Sequence, residues 1–407
     1  MNNKLKINKY ILFISIIIFF DLNGFYLIDE TVFKVKDITL IFEILFMGYV
    51  YIRNPLKIEY KYKWFILFPI FLVITSSIMA HFSYEQPIFM GIRPQRGWIG
   101  TLLMYFPISK LMKLNKIKPK DFIKCIDTIN IVYISLGIVQ FILGTKFALL
   151  HVQMNERYGE IRLYLSLSFV IISYFYHLSN YLHNKKNKVI DLIFIALTFF
   201  LLFVVIKGRM RTIVVLASTF IAFTSMKFSA KKLILAVSGV FLIVSFFSSN
   251  LGSDILNMAF DSSKSVQNTS EIRDEGRLYY LNEMGKTYGS IIFGCGFPNS
   301  DWEPAFIKTR MVDLIYANDN GIFGLMYYYG ATFAIWLVFF TILLLKRSKS
   351  INDNLCFIYF LYSIIAIYTL YPELYSENIA FLIILAIHER NLQNGKIENC
   401  GIESTIK

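Results

Sequence analysis

Histidine, cysteine and charge are all sparse in this chain, and each shortage removes a class of function. The four cysteines follow no metal-binding spacing: Cys125 and Cys356 fall in apolar segments, Cys295 in a polar loop and Cys400 in the tail. Neither a zinc module nor a disulfide framework is implied. The five histidines, His81, His151, His177, His183 and His388, likewise lack ligand spacing, and no metal ligand is assigned. There is no glycine-rich phosphate loop of the kind that cradles a nucleotide. No Asp-x-Asp element sits where a nucleotide-sugar and its metal would need one. The chain is therefore read as working without a cofactor.

Charged residues make up 17% of the sequence against 56% hydrophobic, and the mean hydropathy is +0.54. A soluble domain of 407 residues could not hide that much apolar surface. The net charge of +13 does not point to nucleic acid. Most lysines sit in short clusters between apolar runs, and no polar domain carries a basic stripe with interleaved aromatics. The partner implied is the lipid bilayer.

The apolar runs are long enough to cross about 30 Å of hydrocarbon as helices. They predict an all-α polytopic bundle of about twelve spans forming a single integral membrane domain, 1–407. The spans fall at 10–27, 37–52, 64–80, 98–113, 122–143, 162–182, 189–206, 211–226, 231–248, 321–346, 354–370 and 377–390. Asp21, Glu43 and Pro107 interrupt the first, second and fourth. Lys4, Lys6 and Lys9 precede the first run with no small-residue cleavage site after it, so it is read as an uncleaved helix. Residues 249–320, between helices nine and ten, are polar and too long for a simple connector. They are expected to form a large, partly helical extracytoplasmic loop.

Placing both termini in the cytoplasm puts most basic residues inside. The split by type is sharper than the total. Lysines gather on the inner side. Nine of the 12 arginines fall outside: Arg93, Arg96, Arg157, Arg162, Arg209, Arg211, Arg273, Arg277 and Arg310. The guanidinium is a planar fork that grips phosphate or carboxylate at two points, so this distribution reads as an outward-facing anion site.

Three stretches carry the chemistry. Lys207-Gly208-Arg209-Met210-Arg211-Thr212 separates helices seven and eight. Cations there break the positive-inside trend, and the helix that follows offers its unpaired N–H groups and positive dipole end to a diphosphate. In the long loop, Glu271 to Met284 predicts an amphipathic helix with Arg273 and Arg277 four apart on one face. Pairing with Glu271, Asp274 or Glu275 is the alternative role for these arginines. Ile291-Ile292-Phe293-Gly294-Cys295-Gly296-Phe297-Pro298 follows, with glycines suited to a sharp turn. Third, Asp319-Asn320 with Gly330 opens helix ten. Asp319 there would either accept a proton from a sugar hydroxyl or, like Asn318, cap the helix. Asn155 to Arg162 and Arg93 to Trp98 add Arg157, Arg162, Arg93 and Arg96 to the same face. Contact with lipid headgroups would also explain them.

Taken together, these motifs resemble the O-antigen polymerase and O-antigen ligase superfamily (Wzy-type and WaaL-type membrane proteins). The likeness rests on Gly208-Arg209-Met210-Arg211-Thr212, on Arg277 followed by Ile292-Phe293-Gly294-Cys295-Gly296, and on Asp319-Asn320 with Gly330. The ligases carry His where this chain has Asp319, a departure that favours a polymerase. The resemblance implies metal-independent transfer of a glycan from undecaprenyl diphosphate to a lipid-linked repeat, outside the cytoplasmic membrane of a bacterium. O-antigen, capsule and exopolysaccharide are all open as products. A flippase and a chain-length regulator would be partners. On this reading Asp319, Arg211 and Arg277 are catalytic, and Arg209, Arg273, Arg162, Arg157, Arg96 and Arg93 bind substrate. An O-antigen ligase and a lipid-linked oligosaccharide flippase are the competing expectations. The flippase would carry charge inside its helices, lining a central cavity.

Overall fold

The computed structural model describes the backbone of residues 8–29, 34–157, 160–183, 188–207, 209–225, 263–313, 315–351, 353–367, 375 and 377–404. Side chains are described for these residues except 155–157, 160, 183, 209–210, 222–225, 263–273, 318–319 and 395–404. The predicted ninth helix, 231–248, and the start of the long loop lie outside the described residues.

The protein is mostly helical (78%). In chain order the helices are α1 (Lys9–Asp21), α2 (Val35–Arg53), α3 (Lys63–Tyr84), α4 (Ile88–Ile92), α5 (Arg96–Leu103) and α6 (Tyr105–Lys113). They continue with α7 (Pro119–Leu143), α8 (Ser168–His183), α9 (Lys188–Phe200), α10 (Arg209–Ser225), α11 (Ser263–Met284) and α12 (Tyr288–Phe293). The last are α13 (Glu303–Lys308), α14 (Ile322–Tyr329), α15 (Ala331–Ser350), α16 (Asn354–Ala366) and α17 (Ala380–Ser404). Among the described residues, four helical stretches are long and apolar enough to cross a membrane: Lys63–Tyr84, Pro119–Leu143, Lys188–Val205 and Ala331–Ser350. Their outward side chains match hydrocarbon rather than water. Ile142 is 76% exposed and Ile335 70%, and bare apolar surface of this kind needs a covering medium.

Several predicted boundaries are corrected, each for a local reason. Helix one ends at Asp21 and passes into a 3-10 turn, Asn23–Tyr26, in which Gly24 takes a left-handed φ of 58°. The fourth span starts at Arg96 and divides between α5 and α6. Pro107 lacks the N–H that would bond the Leu103 carbonyl. The sixth span loses its first turn to a β-hairpin, β1 (Met154–Arg157) paired antiparallel with β2 (Glu160–Leu163). This hairpin is the described exception to an all-α chain. The tenth span breaks between α14 and α15 at Gly330, whose φ is 79°. The last helix is longer than expected, reaching Ser404.

The Gly330 break is where the long loop seats itself. A Cβ on Gly330 would lie 2.0 Å from the Ile292 carbonyl oxygen, and one on Gly294 would lie 2.6 Å from the Tyr329 nitrogen. Cys295 N–H donates to the Tyr327 carbonyl at 2.7 Å, and the Thr332 hydroxyl donates to the Ile292 carbonyl at 2.8 Å. Two of the motifs singled out in sequence therefore meet backbone to backbone, at glycines because nothing larger fits. On its other side, Gly296 approaches the backbone of α3 at Ala80.

Cys295 is consequently buried, not displayed in a polar loop. Burial, with Glu283 nearby, pushes its thiol up to about 12. Raising pH toward 8 should leave it protonated, with roughly one thiolate in 10,000, against about one in four for an unperturbed thiol. Maleimide labelling of folded protein at pH 8, read by peptide mapping, should spare Cys295. Labelling as fast as a small-molecule thiol would contradict this burial.

Candidate functional site

Helix ends that the predicted topology assigns to one face converge on a single cavity of about 520 Å³. Each contributing segment brings side chains by a simple rule. In α2, Lys36, Thr39, Leu40 and Glu43 fall at helical spacing and line one wall; Pro94, Gly97, Trp98 and Thr101 do the same around the start of α5. Asp21 enters from the end of α1, Ser166 and Ser168 from the start of α8, and Arg211 from the first turn of α10. Phe297 comes from the seated loop, and Tyr375, Glu377 and Asn378 from the approach to α17.

The cavity is charged. Asp21, Glu43, Glu377, Lys36 and Arg211 all line it. Two glycines make room for the carboxylates: a Cβ on Gly97 would sit 3.2 Å from Glu377 Oε1, and one on Gly100 2.6 Å from Glu43 Oε2. The carboxylates are held differently. Lys36 grips Glu377 Oε2 at 2.7 Å. Asp21 Oδ2 accepts the Ile379 N–H at 3.0 Å and so anchors the start of α17. Glu43, 1% exposed, accepts only a long 3.4 Å bond from Thr101 among the described contacts. Arg211 Nε is buried and has no hydrogen-bond partner among the described residues, as is true of Asp21 Oδ1.

An aromatic wall closes one side. Trp98 packs on Tyr375 with ring centres 4.6 Å apart and on Tyr329 at 5.7 Å. The Tyr329 hydroxyl donates to Gln95 Oε1 and meets the Tyr375 hydroxyl at 2.9 Å. Tyr329 immediately precedes Gly330, so the break that seats the loop also positions this wall.

Of the predicted residues whose side chains are described, Arg211 alone lines the cavity. Arg96 stands beside the lining residues Gln95 and Gly97, but its guanidinium is bound to Asp37 and to the Arg93 carbonyl. Arg93 is exposed. Arg162 donates to the Ile206 carbonyl at 3.2 Å and lies over the Tyr164 ring, bracing the hairpin against the chain leading to α10. Arg277 bonds Asp274 at 3.0 Å and stacks over Phe323. The ion-pairing alternative therefore holds for it. Arg310 pairs with Glu275 at 2.6 Å and Asp313 at 2.8 Å. The side chains of Arg157, Arg209, Arg273 and Asp319 lie outside the described residues.

Asp319 and Asn320 are nevertheless close to the Arg277 segment. They sit in a 3-10 turn, Ala317–Asn320, packed against α11, where a Cβ on Gly276 would meet Asn320 Nδ2 at 3.0 Å. Gly321, not Asn318 or Asp319, occupies the N-cap of α14. The Arg277 helix and the Asp319-Asn320 turn are thus one local cluster, and none of their described side chains lines the cavity.

Sequence reasoning passed over Asp21, Glu43, Glu377 and Lys36. The signal was present for two of them: an ionisable residue inside an apolar span is a functional candidate by default. Asp21 and Glu43 were read merely as interruptions. No protein-family model matches the chain, and no curated protein matches it in sequence.

Proposed function

We propose that this chain is a polytopic membrane glycosyltransferase of about twelve spans. It would extend a polysaccharide by moving a glycan from undecaprenyl diphosphate onto a lipid-linked repeat at the outer face of a bacterial cytoplasmic membrane. The observation that carries the reading is Arg211. It is a guanidinium with an unsatisfied buried donor, on the first turn of a helix, in a cavity that also holds carboxylates and an aromatic wall. An anion is the natural partner of the first, and a sugar of the other two.

The residues supply a balanced step. The acceptor hydroxyl oxygen attacks the anomeric carbon of the donor glycan, forming the new C–O bond. Its proton passes to Glu377, the carboxylate paired with Lys36. The bond from the anomeric carbon to the diphosphate oxygen breaks, and the electron pair leaves on that oxygen. Arg211 neutralises the charge that grows there. The leaving diphosphate carries the driving force, so no nucleotide is required. Arg277 and Asp319 keep a role only if the seated loop brings the acceptor to the cavity.

Deleting the gene should leave single lipid-linked repeats in the membrane, resolved by mass spectrometry of extracted lipids. Accumulated lipid-linked polymer would instead make it a ligase. One observation favours a second reading: the charged residues do line an internal cavity, as a lipid-linked oligosaccharide flippase would require. Movement of a labelled lipid-linked unit across vesicles without chain growth would decide for that reading.

A further inference from the structure

Far from the cavity, a second cluster joins the start of α16 to the middle of α17. Asp353, Cys356 and His388 each offer a ligand atom, and these atoms all lie within 4.8 Å of one another. Cys356 and His388 are both 0% exposed. Sequence spacing could not reveal the set, because His388 comes from a different helix. Along α17, His388 lies roughly 12 Å beyond its first residue, Ala380, in the direction away from the cavity.

We infer that Asp353, Cys356 and His388 bind one zinc ion that clasps α16 to α17. Three observations argue for a metal rather than a simple ion pair. His388 Nδ1 stands 3.6 Å from Asp353 Oδ2. That is too long for a hydrogen bond, yet close to the separation of about 3.4 Å between two ligands on a tetrahedral zinc. Second, the Asp353 carboxylate and the Cys356 sulfur share one buried place, where a divalent cation would displace the thiol proton and balance both anionic ligands. Third, the imidazole is fixed for the task. Tyr62 stacks on it at 6.1 Å and Phe360 meets its edge at 5.5 Å. Asn391 Nδ2 donates to Asp353 Oδ2 at 2.8 Å, orienting the carboxylate from outside, as partners of metal ligands commonly do.

The ligand set selects the ion. Thiolate with imidazole and one carboxylate suits zinc better than magnesium or calcium, which take oxygen. The buried Ser348 hydroxyl, 3.4 Å from His388 Nδ1, is an oxygen available for the fourth position. A closed, largely buried site of this sort is structural.

The test uses the full chain, purified in detergent, stripped with a chelator and then given cobalt(II) or zinc(II). One cobalt per chain should bind, with the intense visible bands of a tetrahedral site and a thiolate charge-transfer band. Cys356→Ser should remove the charge-transfer band and weaken zinc binding by more than about 100-fold, beyond the range of outer-shell changes. If that variant does not fold, X-ray absorption of zinc-loaded wild-type protein gives the answer alone. One sulfur in a four-atom shell supports the site; none, or two or more, overturns it. Failure of the wild-type chain to retain stoichiometric metal, or a charge-transfer band that survives Cys356→Ser, would leave an ion pair and no zinc. None of these readouts depends on glycosyl transfer, so the clasp stands or falls independently of the enzyme.

Discussion

Replacing Arg211 with alanine is expected to slow chain growth by about 100- to 1,000-fold. This is the loss that follows removal of one preorganised donor from a developing oxyanion, roughly 3–4 kcal/mol of barrier. Cells expressing Arg211→Ala at wild-type protein levels should show ladders collapsed to one or a few repeats on gels. Arg211→Lys should recover only part of the length, because an ammonium replaces the charge but not the two-point fork. Glu377→Gln in the same assay should be comparably impaired through loss of the proton acceptor. The effect should not extend to Arg310→Ala, whose guanidinium is committed to Glu275 and Asp313. Full-length polymer from Arg211→Ala would remove the cavity from the mechanism.

The largest effect on stability should come from Glu389, which lies wholly inside the bundle at 2% exposure. Its Oε1 accepts the Lys61 N–H at 2.5 Å and Lys113 Nζ at 2.7 Å. Its Oε2 accepts the Tyr105 hydroxyl at 2.6 Å and the Ser109 hydroxyl. One carboxylate thus ties α17 to α6 and to the chain entering α3. Alanine would leave an ammonium and two hydroxyls facing the hole. Removing one partner of a buried charge pair costs about 3–5 kcal/mol. Thermal unfolding of Glu389→Ala in detergent should show a clearly lowered midpoint, and Glu389→Gln a smaller drop. An unchanged midpoint for the alanine variant would mean that the network adds nothing.

What could be read from sequence was whatever is local. The amphipathic stretch ending at Met284 is helical as expected, and it extends back to Ser263. The glycines at 294 and 296 do mark turns, each with a left-handed φ, whereas Gly330 breaks a helix that reads as continuous. The cation-bearing entry to α10 does place Arg211 in the cavity. Pairings across long separations were not legible. Nothing in the neighbourhood of Lys36 announces Glu377, and Glu389 reads as an unremarkable acid in a basic tail. Arginine counts leave pairing unread. A residue's side of the membrane says nothing about whether a neighbouring carboxylate already holds it, and Arg96, Arg277 and Arg310 are all so held. The polar interruptions of apolar runs were better guides than the basic loops, because burying Asp21 or Glu43 in an apolar bundle is costly unless something uses them.

The contact between Gly294 and Gly330 has a mechanical side. Main chain rests on main chain there, with no compressible side chain between to absorb a displacement. On the proposed function, a shift of the loop on arrival of a glycan would pass straight into the kink between α14 and α15 and reach Tyr329 and the aromatic wall around Trp98. The loop would then act as a lever on that wall, its fulcrum a pair of residues with no side chains at all.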